Sequence, residues 1–152
     1  MTLLETLGAK ASQAKVIATD IDTDALAKAR QGIYPQEQVR KLDEARVKRF
    51  FQKGTGNHIG LARVRPEVSA LVEFMPLNLL APQWPIKGPF DAIFCRNIMI
   101  YFDKETQAKI LKRFAPLMKQ DGLLFAGHSE NFSYISDAFK LRGQTVYTLA
   151  NK

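Results

Sequence analysis

The sequence predicts an α/β fold, a mostly parallel sheet with a small antiparallel β insertion, on the basis of three observations. Short apolar runs typical of buried strands alternate with segments of helical periodicity. Polar residues directly follow two of these runs, as ligand-binding residues do at the carboxyl ends of strands in an open sheet. One internal segment combines glycines with alternating apolar and polar residues, a pattern typical of short antiparallel strands.

The first part of the chain predicts a short helix, a strand and a longer helix. The opening apolar residues recur at helical spacing as far as Gly8, which can end the helix. The run 15–21, KVIATDI, predicts a buried strand. Asp22 or Thr23 can cap the helix that follows, and Gly32 is its stop signal.

The middle of the chain predicts a helix and then antiparallel strands. Apolar residues recur at roughly helical spacing over 36–51, before the glycine-punctuated turn KGTGNHIG. Within 61–74, the pieces LARVR and ALVEF alternate apolar with polar residues on either side of Pro66, so we expect two short antiparallel strands. We assign residues 53–75 to a β insertion embedded in one domain that covers residues 1–152.

The last part of the chain predicts four strands and one helix. Residues 90–95 predict a second buried strand, and Asp103 opens a helix with one apolar face. Asp121–Gly122 predicts a turn into a third strand at 123–126. The segment 139–149 predicts two further strands that pair antiparallel at the edge of the sheet.

The composition is that of an ordinary soluble globular protein. Hydrophobic residues make up 46% and charged residues 24%, with no apolar run long enough to span a bilayer. The N-terminus lacks the pattern of a signal peptide, so we expect a cytoplasmic protein. The single cysteine, Cys95, lies inside an apolar strand, where we expect a small buried hydrophobe rather than a nucleophile.

The charge and the histidines exclude two classes of site. A net charge of +7 favours an acidic partner, but the basic residues are dispersed and accompany no nucleic-acid-binding motif. We therefore predict no nucleic-acid partner and no membrane insertion. His58 and His128 lie far apart, without cysteine or carboxylate spacing typical of a metal site, so we predict none.

Asp20 lies near the end of the first predicted strand, and two interpretations of it remain open. An ionised carboxylate at this position can accept hydrogen bonds from the two hydroxyls of a ribose. Alternatively, Asp20, Asp22 and Asp24 cap and charge the N-terminus of the next helix.

The glycines at 54, 56 and 60 invite comparison with a phosphate-binding loop, which we reject. The segment follows a helix and precedes short strands, the reverse of the strand–loop–helix order that such a loop requires. Glycines also leave backbone amides accessible, which suits a sheet edge that captures an extended peptide by strand addition.

The segment 94–104, FCRNIMIYFDK, is the most informative in the chain. An apolar strand runs directly into Arg96 and Asn97, and Tyr101 follows. Because ligands bind beyond the carboxyl ends of the strands, these three residues are candidates for the site. For Tyr101, a packed aromatic at the start of a helix is the alternative.

Three segments together, ATDIDTDALAKARQGIY, GPFDAIFCRNIMIYFD and DGLLFAGHSENF, closely resemble the CheR family of bacterial chemotaxis receptor methyltransferases. The likeness covers nearly the whole chain. It implies a class I, Rossmann-like methyltransferase sheet that uses S-adenosyl-L-methionine and releases S-adenosyl-L-homocysteine. The implied reaction is γ-glutamyl methyl ester formation on the cytoplasmic helices of methyl-accepting chemotaxis receptors.

The resemblance also implies which residues contact the cofactor. Asp20 resembles the ribose-binding acid of the family, and Asn78 and Leu79 resemble its adenine-side contacts. Arg96 and Asn97 resemble the cofactor contact after the fourth strand. For Asn78, a turn-forming role beside the prolines is the alternative.

Two further sets of roles follow from the resemblance. Tyr101 is similar to the tyrosine that lines the methyl-transfer site. In family members that bind a pentapeptide at the receptor C-terminus, the β subdomain supplies a strand edge, and Gly54, Gly56, Gly60 and Arg63 occupy the corresponding positions here. Arg63 could then pair with an acidic group of the peptide.

The chain departs from the family pattern at its N-terminus. It lacks the family's helical N-terminal domain, first strand and glycine loop, so we expect a partial catalytic domain whose sheet is truncated there. Two hypotheses follow: a receptor glutamate methyltransferase, or a catalytically inactive fragment or docking module that binds receptor C-terminal peptides through the β insertion. The survival of the cofactor-site residues favours the first.

Overall fold

The chain divides after Asn78 into two units. The structure, a computed structural model, describes residues 1–150. The first unit contains a parallel pair of strands and a three-stranded antiparallel sheet, and the second contains a four-stranded mixed sheet. No helix within residues 1–150 is long and apolar enough to cross a bilayer.

The elements of the first unit are, in chain order, α1 (Thr2–Leu7), a 3-10 helix (Gly8–Gln13), β1 (Val16–Asp20), α2 (Thr23–Gln31), β2 (Ile33–Pro35), α3 (Gln36–Val39), α4 (Glu44–Phe50), β3 (Phe51–Lys53), a 3-10 helix (Gly56–His58), β4 (Leu61–Val64), α5 (Pro66–Ser69) and β5 (Val72–Pro76).

Local sequence determines where α2 begins and ends. The Asp22 carboxylate accepts hydrogen bonds from the backbone N–H groups of Asp24, at 2.8 Å, and Ala25, at 3.1 Å. Asp22, rather than Thr23, is therefore the N-cap. Gly32 ends the helix in the left-handed conformation, with a φ of 61°.

Strand β5 corrects one sequence prediction. It comes from the piece ALVEF, expected to be antiparallel, but it runs parallel to β1, with Val16 opposite Val72 and Asp20 opposite Pro76. The prediction was wrong because alternation of apolar and polar residues reports that one strand face is exposed. It does not report the direction of the neighbouring strand.

The antiparallel sheet has the strand order β2-β4-β3, with β4 in the centre. It confirms LARVR as an antiparallel strand. The sheet spans residues 33–64, so it begins upstream of the predicted 53–75 boundary and ends before β5.

The predicted helix over 36–51 is wrong in its middle and at its end. Asp43 accepts a hydrogen bond from the N–H of Arg46, at 3.1 Å, and so caps a separate second helix. Phe51 already belongs to β3. The helical spacing of apolar residues extends across the break because Val39 and Phe50, one from each short helix, enter the same core.

The elements of the second unit are β6 (Phe90–Cys95), a 3-10 helix (Met99–Tyr101), α6 (Lys104–Phe114), a 3-10 helix (Ala115–Leu117), β7 (Met118–Ala126), β8 (Phe139–Gly143) and β9 (Val146–Leu149). The sheet order is β6-β7-β9-β8, with β6 and β7 parallel and the other pairs antiparallel. The last two strands therefore form the antiparallel edge that the sequence predicts.

Helix α6 covers one side of the core of the second unit. Asp103 accepts a hydrogen bond from the N–H of Thr106, at 2.7 Å, which confirms it as the start of the helix. The buried residues of this core come from β6, the 3-10 helix that follows it, α6, β7, the loop after β7 and the C-terminal strands: Cys95, Met99, Ile110, Leu111, Phe114, Met118, Leu124, Ala126, Phe132, Phe139 and Tyr147.

Two predictions about the strands of this unit need correction. Asp121–Gly122 does not turn the chain but lies inside β7, where the register to β6 shifts between Phe90 and Ala92. Between these pairs β6 advances by two residues, from Phe90 to Ala92, and β7 by five, from Met118 to Leu123, so β7 accommodates three extra residues without ending. Strand β6 is also less buried than its apolar sequence suggests: Phe94 is 70% exposed, and its ring stacks on that of Phe125.

Candidate functional site

The loop after β6 holds three of the predicted site residues. Arg96 and Asn97 follow Cys95 directly, and both are exposed. Asn97 adopts a left-handed backbone conformation with a φ of 59°. Tyr101 ends the 3-10 helix Met99–Tyr101 and is 78% exposed, so it is not a packed aromatic. The structure therefore brings Arg96, Asn97 and Tyr101 onto one loop at the carboxyl end of β6.

A buried carboxylate anchors this loop. Glu130 is only 6% exposed, and its two oxygens accept four backbone hydrogen bonds. Oε1 accepts from Ile98 at 2.9 Å and from Met99 at 2.7 Å. Oε2 accepts from Asn97 at 3.0 Å and from Gly127 at 2.5 Å. The carboxylate thus joins the loop after β6 to the turn after β7.

Gly127 is required by this close approach. A Cβ at residue 127 would lie 2.4 Å from Oδ1 of Asn97, 2.7 Å from Oε2 of Glu130 and 2.9 Å from the Asn97 nitrogen. Side chains at positions 95 and 126 are paired across β6 and β7, so the residues that follow them necessarily meet. Only glycine fits beside Asn97 here.

Sequence reasoning missed Glu130 and Gly127. Both lie in the quoted segment DGLLFAGHSENF, but an acidic residue in a polar run gives no sign that it is buried.

Cys95 behaves as the sequence predicts. It is buried in the core of the second unit. Desolvation, with a smaller contribution from the negative charge of Glu130, raises the pKa of its thiol to about 12. A thiol with a raised pKa stays protonated at neutral pH, which agrees with the expected role of Cys95 as a small buried hydrophobe.

Asp20 lies at the carboxyl end of β1 in the first unit. Its Oδ1 accepts a hydrogen bond from the N–H of Asp22, at 3.0 Å, while the cap of α2 is Asp22 itself. Capping of the helix therefore does not account for Asp20. The N–H of Leu77 donates to the backbone oxygen of Asp20, at 2.9 Å, so the chain leading to Asn78 starts beside the end of β1.

Leu79 belongs to the second unit, where an arginine holds its loop. Leu79 packs against the core, and the Arg113 guanidinium donates to its carbonyl at 3.4 Å. Arg113 also donates to the carbonyls of Ala81, at 2.7 Å, and Pro82, at 3.3 Å. The same guanidinium lies 3.8 Å from the centre of the Trp84 ring. Arg113 is a further residue that sequence reasoning missed.

The glycines at 54, 56 and 60 shape a turn between β3 and β4. The N–H of Gly54 donates to the carbonyl of Leu61 at 2.8 Å, so its amide is not accessible to a peptide, contrary to the expectation for this position. A Cβ at Gly54 would lie 2.0 Å from the His58 oxygen. Gly56 and Gly60 have φ values of 55° and 89°. Turn geometry thus accounts for these three glycines.

Arg63 lies in the central strand of the same sheet. It is exposed and stands opposite Ile33 on β2 and Gln52 on β3, so the three side chains share one sheet face. That face is open to solvent, since Ile33 and Gln52 are exposed as well.

Other features of the described residues do not form a site. Within residues 1–150, no group of three or more His, Cys, Asp and Glu side chains is arranged to hold a metal ion. His128 and Ser129 are both exposed in the turn after β7. A cavity of about 440 Å³, lined by residues 12–15 and 70–73, lies at the amino ends of β1 and β5, opposite to Asp20. Ligands of open α/β sheets bind at the other end.

The chain is similar to a known protein family over nearly its whole length. A family model described as CheR methyltransferase, SAM binding domain, matches residues 1–148. The chemotaxis protein methyltransferase of Escherichia coli K12 is 59% identical over 150 residues, which cover 99% of this chain and 52% of that protein. The protein of the same name from Klebsiella aerogenes is 59% identical over 152 residues, or 100% of this chain and 52% of that protein.

A more distant relative and a solved structure are also similar to this chain. Chemotaxis protein methyltransferase 2 of Pseudomonas aeruginosa is 51% identical over 150 residues, which cover 99% of this chain and 54% of that protein. The chain therefore spans about half the length of these curated relatives. A structure described as a pericyclic reaction enzyme covers 99% of this chain and 47% of its own, at 17% identity and a TM-score of 0.46, which is too weak to assign a fold.

Proposed function

Because this chain belongs to the CheR methyltransferase SAM-binding domain family, we propose that it binds S-adenosylmethionine and takes part in methylating glutamate side chains of chemotaxis receptors. The observation that carries this proposal is the family match over residues 1–148, which includes every residue predicted to contact the cofactor. A class I, Rossmann-like sheet and a cytoplasmic location are part of the proposal. The parallel strand pair in each unit supports the former.

The residues present fit such a cofactor. Asp20 offers carboxylate oxygens at the end of β1, which suit the vicinal hydroxyls of a ribose. Arg96 and Asn97 offer polar side chains on the loop after β6. The side chain of Asn78 and the backbone of Leu79 continue from β5, where the adenine contacts are proposed.

The proposed reaction needs positioning more than proton transfer. The cofactor supplies an electrophilic methyl group on a sulfonium sulfur. A glutamate carboxylate, with an ordinary pKa of about 4.3, is already ionised at neutral pH and needs no general base. One of its oxygens forms the bond to the methyl carbon as the carbon–sulfur bond breaks, and the electron pair remains on sulfur. Tyr101, exposed beside Arg96 and Asn97, would line the path of the incoming glutamate.

The cofactor site is tested by calorimetric titration with S-adenosylhomocysteine. Two proteins are titrated: the chain itself, and a chimaera in which it replaces the matching half of the 59%-identical Escherichia coli relative. We expect micromolar binding by the chimaera. Asp20→Ala should weaken binding about tenfold through loss of charge-assisted hydrogen bonds to the ribose.

Asp24→Ala is the matched control for Asp20→Ala. Asp24 is also exposed and lies in the first turn of α2, so its substitution removes the same charge from the same helix terminus. Equal loss of affinity in both variants would mean that Asp20 acts only through its charge. Absence of binding by a folded chimaera would overturn the proposed function itself.

We also propose that the exposed face of the antiparallel sheet around Arg63 binds an acidic C-terminal pentapeptide of the receptor. The outer strands β2 and β3 are the edges that an added peptide strand could extend. Arg63 would pair with an acidic group of the peptide from the middle of the sheet. The insertion assigned to residues 53–75 supplies β4 and the preceding turn, and β2 completes the surface.

Titration with the pentapeptide tests this surface. Arg63→Ala should weaken binding about tenfold. Arg40→Ala removes the same charge from an exposed position at the end of α3, outside the sheet, and should leave the affinity unchanged. Unchanged affinity in Arg63→Ala would remove Arg63 from the peptide site.

A further inference from the structure

Glu130 bonds to the loop that carries the predicted cofactor residues, although its own side chain is buried. Its partners on that loop are the N–H groups of Asn97, Ile98 and Met99, three consecutive residues. The fourth partner is the N–H of Gly127, at the end of β7. One carboxylate therefore fixes the directions of three successive peptide groups and ties them to the neighbouring strand.

This arrangement imposes an uncommon backbone conformation on Asn97. Its φ of 59° lies in the left-handed region, which residues other than glycine adopt rarely. Such conformations persist where the surroundings over-determine them, and they concentrate at binding and catalytic sites. Here the hydrogen bond from Asn97 to Glu130 and the next two bonds, from Ile98 and Met99, hold that conformation.

The fixed backbone also fixes where the side chains of the loop begin. Oδ1 of Asn97 packs against Gly127, where a Cβ would be only 2.4 Å away. The N–H groups bonded to Oε1 of Glu130 belong to the start of the 3-10 helix that ends at Tyr101. Both Asn97 and Tyr101 therefore take their positions from the same carboxylate.

We propose that Glu130 is a positioning residue of the cofactor site: it holds Asn97 in its left-handed conformation and so aims the Asn97 side chain at the cofactor. This inference rests on the proposed function, because it assumes that Asn97 contacts the cofactor. Glu130 itself is buried, and its carboxylate bonds to backbone N–H groups. Its effect on binding passes through Asn97.

A purely structural role is the alternative, and it makes a different prediction. If Glu130 only stabilised the fold, its substitution would lower the melting temperature and leave the affinity of the folded protein unchanged. If it positions Asn97, its effect on affinity must depend on whether the Asn97 side chain is present. A double-mutant cycle measures this dependence.

The cycle compares Glu130→Gln, Asn97→Ala and the double variant in the chimaera, by calorimetric titration with S-adenosylhomocysteine below the melting temperature of each protein. Glutamine has nearly the shape of glutamate but places an N–H₂ donor where an oxygen accepted. We expect Glu130→Gln to raise the dissociation constant about tenfold. In the Asn97→Ala background, the same change should alter it by about twofold or less.

Tyr147→Phe is the matched control. The Tyr147 hydroxyl is buried and accepts a hydrogen bond from the N–H of Phe132, at 3.0 Å, two residues beyond Glu130. Its removal also leaves a buried backbone donor without its acceptor, but this donor is not one of the four N–H groups bonded to Glu130. Tyr147→Phe should therefore lower the melting temperature and leave the dissociation constant unchanged.

Each outcome decides the proposal. A Glu130→Gln variant that is folded and binds like the parent overturns it, as does an equal loss of affinity in the two backgrounds. If Glu130→Gln does not fold, Glu130→Asp serves in the same cycle, because it keeps the charge but shortens the side chain. If the parent chimaera does not bind S-adenosylhomocysteine, the proposed function is overturned, and the inference with it. If the parent binds and the Glu130→Gln variant binds equally well, the inference alone is overturned.

Discussion

Two strand ends carry predicted cofactor residues, and they are built differently. At the end of β1, Asp20 is exposed and its carboxylate accepts a hydrogen bond from the N–H of Asp22, two residues away. At the end of β6, Asn97 is held by a buried carboxylate 33 residues away in sequence. The first arrangement is local and leaves the side chain in water, whereas the second spans two strands and fixes the backbone.

The two strand ends differ in what a substitution there should change. An exposed carboxylate can contact a ligand without contributing to stability, so its substitution should affect binding alone. A buried carboxylate with four backbone donors contributes to the fold and, as proposed, to binding. Substitutions at the two ends should therefore separate stability from affinity.

The largest effect is expected for Glu130→Ala. Removal of the carboxylate leaves four N–H donors without their acceptor, two of them in fully buried bonds, so the free energy of unfolding should fall by about 3 kcal/mol. Urea unfolding measures this loss through the fluorescence of the single tryptophan, Trp84, in the same unit. Asp20→Ala, followed by circular dichroism, should change the free energy of unfolding by no more than about 0.5 kcal/mol.

Similar losses in the free energy of unfolding for Glu130→Ala and Asp20→Ala would contradict the contrast between the two strand ends. They would mean that the end of β1 is also held by its acidic side chain.

The next largest effect is expected for Gly127→Ala, which should lower the free energy of unfolding by about 2 kcal/mol. The added methyl group would meet Oδ1 of Asn97 and Oε2 of Glu130 at less than 3 Å, so the two loops must separate. Gly143→Ala is the control, because a Cβ at Gly143 meets nothing within 4 Å. The free energies of unfolding of these two variants, measured by tryptophan fluorescence, should differ by most of this amount, about 2 kcal/mol. If Gly127→Ala is as stable as Gly143→Ala, the close approach of the two loops is wrong.

Local features of the fold could be predicted from the sequence. The cap at Asp22, the stop at Gly32 and the helix start at Asp103 each depend on residues within one helical turn. Strand β6 was predicted with its observed bounds because only Asp91 interrupts its apolar run, although Phe94 proved exposed.

Features that depend on distant residues could not be predicted in this way. The carbonyl partners of Arg113 lie up to 34 residues away, and the N–H partners of Glu130 on the β6 loop lie 31 to 33 residues away. The parallel pairing of β5 with β1 likewise depends on which strand lies beside it, which alternation does not encode. The candidate site combines both kinds, so sequence motifs predicted Arg96 and Asn97 as site residues but not the carboxylate that accepts the N–H of Asn97.

The smallest effect is expected at the N-terminus of α2, and it separates capping from ligand binding at the β1 end. Asp22→Ala removes the acceptor for the N–H groups of Asp24 and Ala25 and should lower the free energy of unfolding by about 1 kcal/mol. Asp22→Asn keeps an acceptor oxygen and should cost much less, although it removes the same charge. Urea unfolding followed by circular dichroism measures the free energy of unfolding of both variants. An equal cost in the two variants would show that charge at the helix terminus, rather than the capping hydrogen bonds, stabilises α2. The charge of Asp20 would then stabilise α2 in the same way, and the distinction between capping by Asp22 and ligand binding by Asp20 would be lost.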